Sequence, residues 1–271
     1  MFLVDSHCHL DFEAFDGDRD AVLERAAAAG VGAMVVPGVK RRTWERLVGL
    51  CDGRAGLYYA LGLHPLFVEE HDTADLDALS DRTAALSPVA VGEIGLDFHA
   101  RDADRRTQTT LFEGQLDIAR SLALPVILHV RKAHDEVLGL LRRYGISGGI
   151  AHAFNGSRQQ AGKYIEMGFK LGFGGMLTFE RSRKLRELAR TLPLDALVLE
   201  TDAPDMTVSQ HRGERNSPEY LPWVLEALAS IRGGDGEEIA AATTRNVAEV
   251  FGISIADHET VLGRDAGHQW H

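Results

Sequence analysis

Residues 124–131, LPVILHVR, show the pattern on which the fold prediction depends. The run is almost continuously apolar and then ends with His129 and Arg131. Uninterrupted apolar runs are typical of strands buried on both faces, as in a parallel sheet covered by helices. Residues 196–202, ALVLETD, follow the same pattern, with apolar residues first and acidic residues at the end. Both segments therefore indicate buried parallel strands that end in polar side chains.

Eight such runs alternate with amphipathic helical patterns along the chain. The predicted strands are residues 2–9, 32–38, 57–65, 89–97, 124–131, 148–154, 169–175 and 196–204. This alternation indicates βα units, and eight units in about 250 residues predict a single-domain α/β protein, a (β/α)8 TIM barrel. An open doubly wound sheet is the alternative, but no GxGxxG pattern follows the first strand. We expect the barrel to span residues 1–256 and residues 257–271 to form a polar C-terminal tail.

The composition excludes several classes of protein. No run of about 18 apolar residues is present, so we expect no membrane span. The start lacks a basic segment, and two cysteines imply no disulfide framework, so a cytoplasmic location is expected. The net charge of −11 argues against a protein that coats duplex DNA, although it allows one local nucleic-acid cleft. No obligate protein partner is evident.

Histidines and acidic residues recur where the predicted strands end. They are His7 and His9, His64, Glu93 and Asp97, His129, His152, and Asp202. In a parallel barrel the carboxyl ends of the strands lie on one face, where active sites form. Any one of these histidines could be an ordinary structural residue. Their joint restriction to strand ends favours a shared site.

The segment DSHCHLD, residues 5–11, places two of these histidines around a cysteine. Side chains alternate along a strand, so His7 and His9 share a face and Asp5 lies deeper on it. Cys8 then points the other way. We therefore predict that Cys8 is a small buried residue and not a ligand.

Six of these side chains form the predicted ligand set: His7, His9, Glu93, His129, His152 and Asp202. An open catalytic zinc site uses three protein ligands, so six favour two ions. We expect Glu93 to bridge them, with His7, His9 and Asp202 on one ion and His129 and His152 on the other. Nitrogen and oxygen donors without thiolate allow Mg, Mn, Zn, Fe or Co.

Seven motifs, in chain order, together resemble the TatD family of metal-dependent deoxyribonucleases, in the amidohydrolase superfamily. They are DSHCHLD, LGLHP, VGEIGLD, ILHVR, ETDAP, RNSPEYLP and RNVAEVF, and ETDAPDM is similar to the YjjV-like branch. The resemblance implies a TIM barrel and 3′–5′ hydrolysis of phosphodiester bonds in DNA, often single-stranded. It also implies the same six metal ligands, contact between His64 and a substrate phosphate, and substrate binding by Arg215.

Two departures from the family pattern affect the substrate. HAFNG, residues 152–156, replaces the more usual HCFSG, and Asp205 replaces a tyrosine. The altered residues adjoin the predicted ligands His152 and Asp202 without removing them. They are expected to change substrate preference and to leave the metal ligands in place.

The predicted mechanism uses two divalent ions to activate water for attack on phosphorus. We expect Asp202 and Glu93 to be the catalytic carboxylates, with Asp202 accepting the proton. Arg131 belongs to a set of basic residues that recur just past the strand ends and could gather phosphate: Lys40, Arg41, Arg42, Arg131, Lys132, Arg158, Arg181, Arg183, Lys184, Arg212 and Arg215. The alternatives are an enzyme acting on a small phosphate ester, lactone or amide, and a non-catalytic metal-binding protein.

Overall fold

Eight parallel strands form the centre of the protein. The structure, a computed structural model, describes residues 1–100 and 104–254. In these residues the strands form one sheet whose order follows the chain. They are β1 Leu3–Asp5, β2 Val31–Pro37, β3 Leu57–Leu61, β4 Ala90–Asp97, β5 Val126–Arg131, β6 Gly149–Ala151, β7 Phe169–Phe173 and β8 Leu197–Leu199. All eight predicted strands are present, several of them shorter than predicted.

An α-helix follows each strand along the chain, and a second one follows β8. Those in the described residues are α1 Arg19–Ala28, α2 Trp44–Cys51, α3 Ala74–Leu86, α4 Arg105–Ser121, α5 His134–Tyr144, α6 Arg158–Glu166, α7 Arg183–Thr191, α8 Leu221–Arg232 and α9 Gly236–Phe251. Just beyond β1, the N–H of Ser6 donates to the carbonyl of Leu199 in β8, at 3.0 Å. The first strand is therefore a neighbour of the last. The predicted (β/α)8 barrel is confirmed, and the open doubly wound sheet is excluded.

The pairing of β4 with β5 shows how the sequence brings two predicted ligand segments together. All eight residues of β4 are buried, and Gly95 pairs with His129. Gly95 has φ of 148°, and a Cβ added there would overlap the carbonyl oxygen of His129. Only glycine allows this close approach. Gly95 thus sets the distance between the strands that carry Glu93 and His129.

The chain divides into two compact units, which are described in turn. Among the described residues, the first comprises residues 1–35, 53–57 and 173–254. It holds β1, most of β2, β8, α1 and α7 to α9. Thr244 of α9 donates to the carbonyl of Phe2 at 3.2 Å, and Asn246 donates to that of Leu197 at 2.7 Å. The helix α9 is therefore hydrogen-bonded to the residue before β1 and to the first residue of β8.

The second unit comprises residues 36–52, 58–100 and 104–172, with most of β3, all of β4 to β6, most of β7, and α2 to α6. Its core includes Gln115 of α4, which is 1% exposed. The amide of Gln115 accepts from the N–H of Leu63 at 2.7 Å and donates to its carbonyl at 3.1 Å. A helix thus fixes the backbone immediately before His64.

Two further expectations concern a membrane span and the C-terminal tail. No helix in the described ranges has the length and apolarity needed to cross a membrane. The predicted tail, residues 257–271, lies outside the described residues. The domain boundary at residue 256 stays a prediction.

Candidate metal centre

In the first unit, His7, His9 and Asp202 come together. The Nε2 atoms of His7 and His9 are 3.2 Å apart. They lie 3.7 Å and 3.6 Å from Oδ1 of Asp202. The strand β1 ends at Asp5, before the predicted end at residue 9, but the N–H of Asp202 still donates to the carbonyl of His7 at 2.9 Å. This bond holds the ligand-bearing segments side by side.

Cys8 lies between the two histidines in sequence and is fully buried. Its Sγ is 3.9 Å from the carbonyl oxygen of Ala203, and its N–H donates to the carbonyl of Val35 at 3.1 Å. Burial raises the pKa of the thiol well above its ordinary value. A thiol that resists ionisation behaves as a small apolar side chain, as the strand alternation predicts.

Beneath the histidines, the buried carboxylate of Asp5 connects the two ligand segments. Its Oδ1 accepts from the N–H of His7 at 3.2 Å and from that of Thr201 at 3.0 Å. The Thr201 hydroxyl donates to Oδ2 at 2.5 Å. Burial raises the pKa of Asp5 to about 7, although these hydrogen bonds oppose the shift. Asp5 therefore stabilises the backbone next to His7 and next to Asp202.

Asn216 is a residue that the sequence analysis missed. It is 1% exposed, and its Nδ2 donates to the carbonyl of Thr201 at 2.8 Å and to that of Asp205 at 2.6 Å. These two carbonyls bracket Asp202. Asn216 thus holds the loop that carries a predicted catalytic carboxylate. Asn216 lies in the motif RNSPEY, residues 215–220, in which only Arg215 was assigned a role from the sequence.

The neighbour Arg215 contacts the chain after β1. Its guanidinium donates two hydrogen bonds to Asp18, both 2.8 Å, and one to the carbonyl of Ala14 at 2.6 Å. It also lies over the ring of Phe15, 4.5 Å from the centroid. These contacts engage much of its hydrogen-bonding capacity within the first unit. Its substrate-binding role stays a prediction.

In the second unit, three histidines surround one carboxylate oxygen. Oε1 of Glu93, whose side chain is 1% exposed, lies 3.1 Å from Nδ1 of His129, 3.2 Å from Nε2 of His64 and 3.9 Å from Nε2 of His152. Glu93 and His129 lie within β4 and β5. His64 and His152 follow β3 and β6. The structure therefore brings the predicted ligands of this unit together.

Asp97 also belongs to this group, although the sequence analysis gave it no role. Its Oδ2 is 3.1 Å from Nε2 of His129. Burial alone would lower the pKa of His129, but hydrogen bonds to Asp97 and Glu93 outweigh it and raise that pKa. For Asp97, burial acts to raise the pKa, and hydrogen bonds from His129 and His99 lower it overall. His129 is thus held between two acids.

The second ring nitrogen of His64 is engaged by its own chain. Nδ1 accepts from the N–H of Leu66 at 3.1 Å. A neutral imidazole carries one hydrogen, so Nε2 holds it and acts as the donor. That donor faces Glu93. Contact between His64 and a substrate phosphate stays a prediction. Such a contact requires a hydrogen-bond donor, which the Nε2–H of His64 supplies.

The predicted basic rim is partly neutralised in the second unit. Lys40 and Arg42 donate to Glu70 at 2.6 Å and 3.1 Å, and Arg41 donates to Asp75 at 3.0 Å. In contrast, the side chain of Arg131 is exposed at the end of β5. The local charge past β2 is therefore lower than the sequence suggests. Substrate binding by Arg131 stays a prediction.

Two sets of donors, one in each unit, fit a divalent cation. In the first unit they are His7, His9 and Asp202. In the second unit Glu93 and His129 supply the lone pairs, and the Nε2–H of His64 lies beside them, with the three groups of each set within 4.8 Å of one another. Imidazole and carboxylate donors without thiolate suit several divalent metals. The number of ions, their identity and the bridging role of Glu93 stay predictions.

Comparison with known proteins identifies the family. A family model described as TatD related DNase matches residues 4–252. The chain belongs to the TatD family. It is 41% identical over 255 residues to a TatD relative in Escherichia coli (strain K12) named "Uncharacterized metal-dependent hydrolase YjjV", covering 92% of this chain and 98% of that protein. The resemblance expected from the motifs is confirmed.

Two further TatD relatives are informative. The chain is 34% identical over 260 residues to a Klebsiella pneumoniae (strain 342) protein named "3'-5' ssDNA/RNA exonuclease TatD", covering 93% of this chain and 99% of that protein. It also matches the crystal structure of YjjV, a TatD homolog from Escherichia coli K12, with a TM-score of 0.89 and 40% identity. That match covers 93% of this chain and 98% of that chain.

Proposed function

We propose that this member of the TatD family of metal-dependent hydrolases cleaves phosphodiester bonds and removes nucleotides from the 3′ end of single-stranded DNA. The observation that carries the proposal is the pair of histidine–carboxylate donor sets, one in each unit. The Klebsiella relative supports the substrate, because it is named for 3′–5′ exonuclease activity and aligns over 93% of this chain.

The chemistry divides between bound cations and side chains. A divalent cation, when bound, lowers the pKa of water toward about 7 and offsets charge on the phosphate. The side chain of Asp202 is 15% exposed, so solvent reaches it. With one oxygen directed at His7 and His9, Asp202 can accept a proton from the attacking water through the other.

His64 supplies a hydrogen-bond donor beside the second set. Because its Nδ1 accepts from Leu66, its Nε2–H is a donor, which faces Glu93 at 3.2 Å and which a substrate phosphate oxygen would accept in place of that carboxylate. The hydrogen bond from Gln115 to the backbone of Leu63 fixes the preceding residue. His64 would therefore orient a phosphate without rearranging its own chain segment.

The test of this function separates catalysis from metal binding. Asp202→Asn keeps the size and one donor oxygen but removes the base, so kcat on a labelled single-stranded oligonucleotide should fall about 100- to 10,000-fold. Metal content should stay near that of the wild type. The matched control is Asp235→Asn, because Asp235 caps α9 through the N–H of Glu237 and asparagine caps equally well. A parallel loss of kcat and metal content would leave the base role unsupported.

A small phosphate ester, lactone or amide is the second candidate substrate. Asp205 is an exposed acid near Asp202, and Glu70 neutralises Lys40 and Arg42. These charges disfavour a long polyanion. A ladder of 3′-shortened DNA would support the nuclease, and turnover restricted to a panel of small esters, lactones and amides would support the alternative. Metal binding without any turnover would favour a non-catalytic protein.

A further inference from the structure

The ring of His129 lies between two buried carboxylates of the same strand. Its Nδ1 is 3.1 Å from Oε1 of Glu93, and its Nε2 is 3.1 Å from Oδ2 of Asp97. Glu93 and Asp97 are four residues apart on β4, so their side chains share a face. Glu93 is a predicted ligand, whereas Asp97 has no part in the proposed function.

Asp97 is held in place by groups other than His129. It is 3% exposed. Its Oδ1 accepts from the N–H of His99 at 2.9 Å, and its own N–H donates to Oε1 of Gln108 at 2.9 Å. The pairing of β4 with β5 sets Asp97 opposite Arg131. The position of Oδ2 relative to β5 is thus fixed by the fold.

This fixed oxygen bears on which nitrogen of His129 carries the hydrogen. A carboxylate oxygen lies 3.1 Å from each ring nitrogen, and a neutral imidazole has one hydrogen to give. Oε1 of Glu93 already faces the Nε2–H of His64, whereas Oδ2 of Asp97 faces His129, so we expect the hydrogen of His129 on Nε2. Nδ1 therefore keeps its lone pair, which faces the Glu93 side.

We propose that Asp97 is a positioning residue that holds His129 as the Nε2–H form and directs its Nδ1 lone pair at a divalent cation. The role rests on the metal-binding part of the proposed function. A carboxylate that accepts from the outer nitrogen of a ligating histidine fixes both the ring orientation and the hydrogen position. In this chain Asp97 would do so for the predicted ligand on β5.

The substitution Asp97→Asn tests this role at constant size. When the new amide NH2 faces His129, Nε2 must accept, and the ring hydrogen moves to Nδ1, where it blocks the cation. We expect the affinity for Zn²⁺, measured by calorimetry, to fall about 10- to 100-fold. Asp97→Glu keeps an ionised acceptor and should recover part of the affinity. The control Asp104→Asn removes the same charge at the exposed cap of α4, where asparagine still accepts from Thr107, and should match the wild type.

A spectroscopic measurement separates positioning from general damage. Imidazole ¹⁵N spectra of the metal-free protein at about pH 9, with His129 assigned through His129→Gln, report where the neutral ring carries its hydrogen. We expect Nε2–H in the wild type and a shift toward Nδ1–H in Asp97→Asn. A wild-type Nδ1–H form would overturn the role even if the variant does not fold, and so would unchanged Zn²⁺ affinity in Asp97→Asn. Protein that binds Zn²⁺ in the expected form but cleaves no DNA would refute only the nuclease.

Discussion

Replacing Asn216 should weaken both the fold and the metal site, and the structure sets the size of the effect. The side chain donates to the carbonyls of Thr201 and Asp205 and accepts from the N–H of Ser217 at 2.9 Å. Each bond contributes about 1 kcal/mol net, so Asn216→Ala should lower the free energy of unfolding by about 3 kcal/mol. Asn216→Asp should cost more, because its carboxylate would face two carbonyl oxygens.

The same substitution should also disturb Asp202, since Asn216 holds the loop on both sides of it. We expect about 10- to 100-fold weaker Mn²⁺ binding by calorimetry, together with a lower kcat. Asn246→Ala is a matched control, because Asn246 is also buried and donates to two carbonyls, those of Leu194 and Leu197. In urea unfolding Asn246→Ala should lower the free energy of unfolding by about 2 kcal/mol, from its two hydrogen bonds. If Asn216→Ala binds Mn²⁺ as tightly as Asn246→Ala does, the loop-holding role is wrong.

Three further predictions follow from single residues. Cys8→Ala should retain metal content and activity, and a metal-depleted variant would show that the thiol is a ligand. Gly95→Ala should lower the free energy of unfolding by about 1–3 kcal/mol or more, because its Cβ would overlap the carbonyl of His129; wild-type stability in urea would contradict this. Burial raises the pKa of Asp5 from 3.8 to about 7, so its contribution to stability is present below pH 3.8 and lost as pH rises through about 7. In the metal-free protein, the free energy of unfolding should fall by about 2 kcal/mol between about pH 5.5 and about pH 8. An equal fall in wild type and in Asp5→Asn would refute the assignment of this effect to Asp5.

The regular elements could be predicted closely where periodicity is long and unbroken. The predicted strand at residues 89–97 matches Ala90–Asp97 to within one residue. At β8 the predicted strand runs to residue 204, but the observed one ends at Leu199. Asp202 has φ of 57°, a left-handed conformation that interrupts an extended strand. Ligand-type residues at strand ends mark the site but also distort the strands.

The ligands could be predicted because their spacing follows the strands, whereas their supporting contacts could not. Asp97 and His129 are 32 residues apart in the chain, and Asp5 and Thr201 are 196 apart. No local pattern in one sequence pairs such distant residues. The charge of the loop after β2 was overestimated for a related reason, because Glu70 reaches Lys40 only in the folded protein.

The amide of Gln115 has a consequence for how this scaffold can diversify. The amide hydrogen-bonds to both the N–H and the carbonyl of Leu63, as a residue of a neighbouring strand would. A side chain of α4 therefore holds the backbone just before His64. The adjoining Leu66 side chain is 60% exposed and takes no part in that anchor. Mutations there can accumulate while the histidine keeps its position. Selection can therefore change the side chains that follow His64 without moving His64 itself.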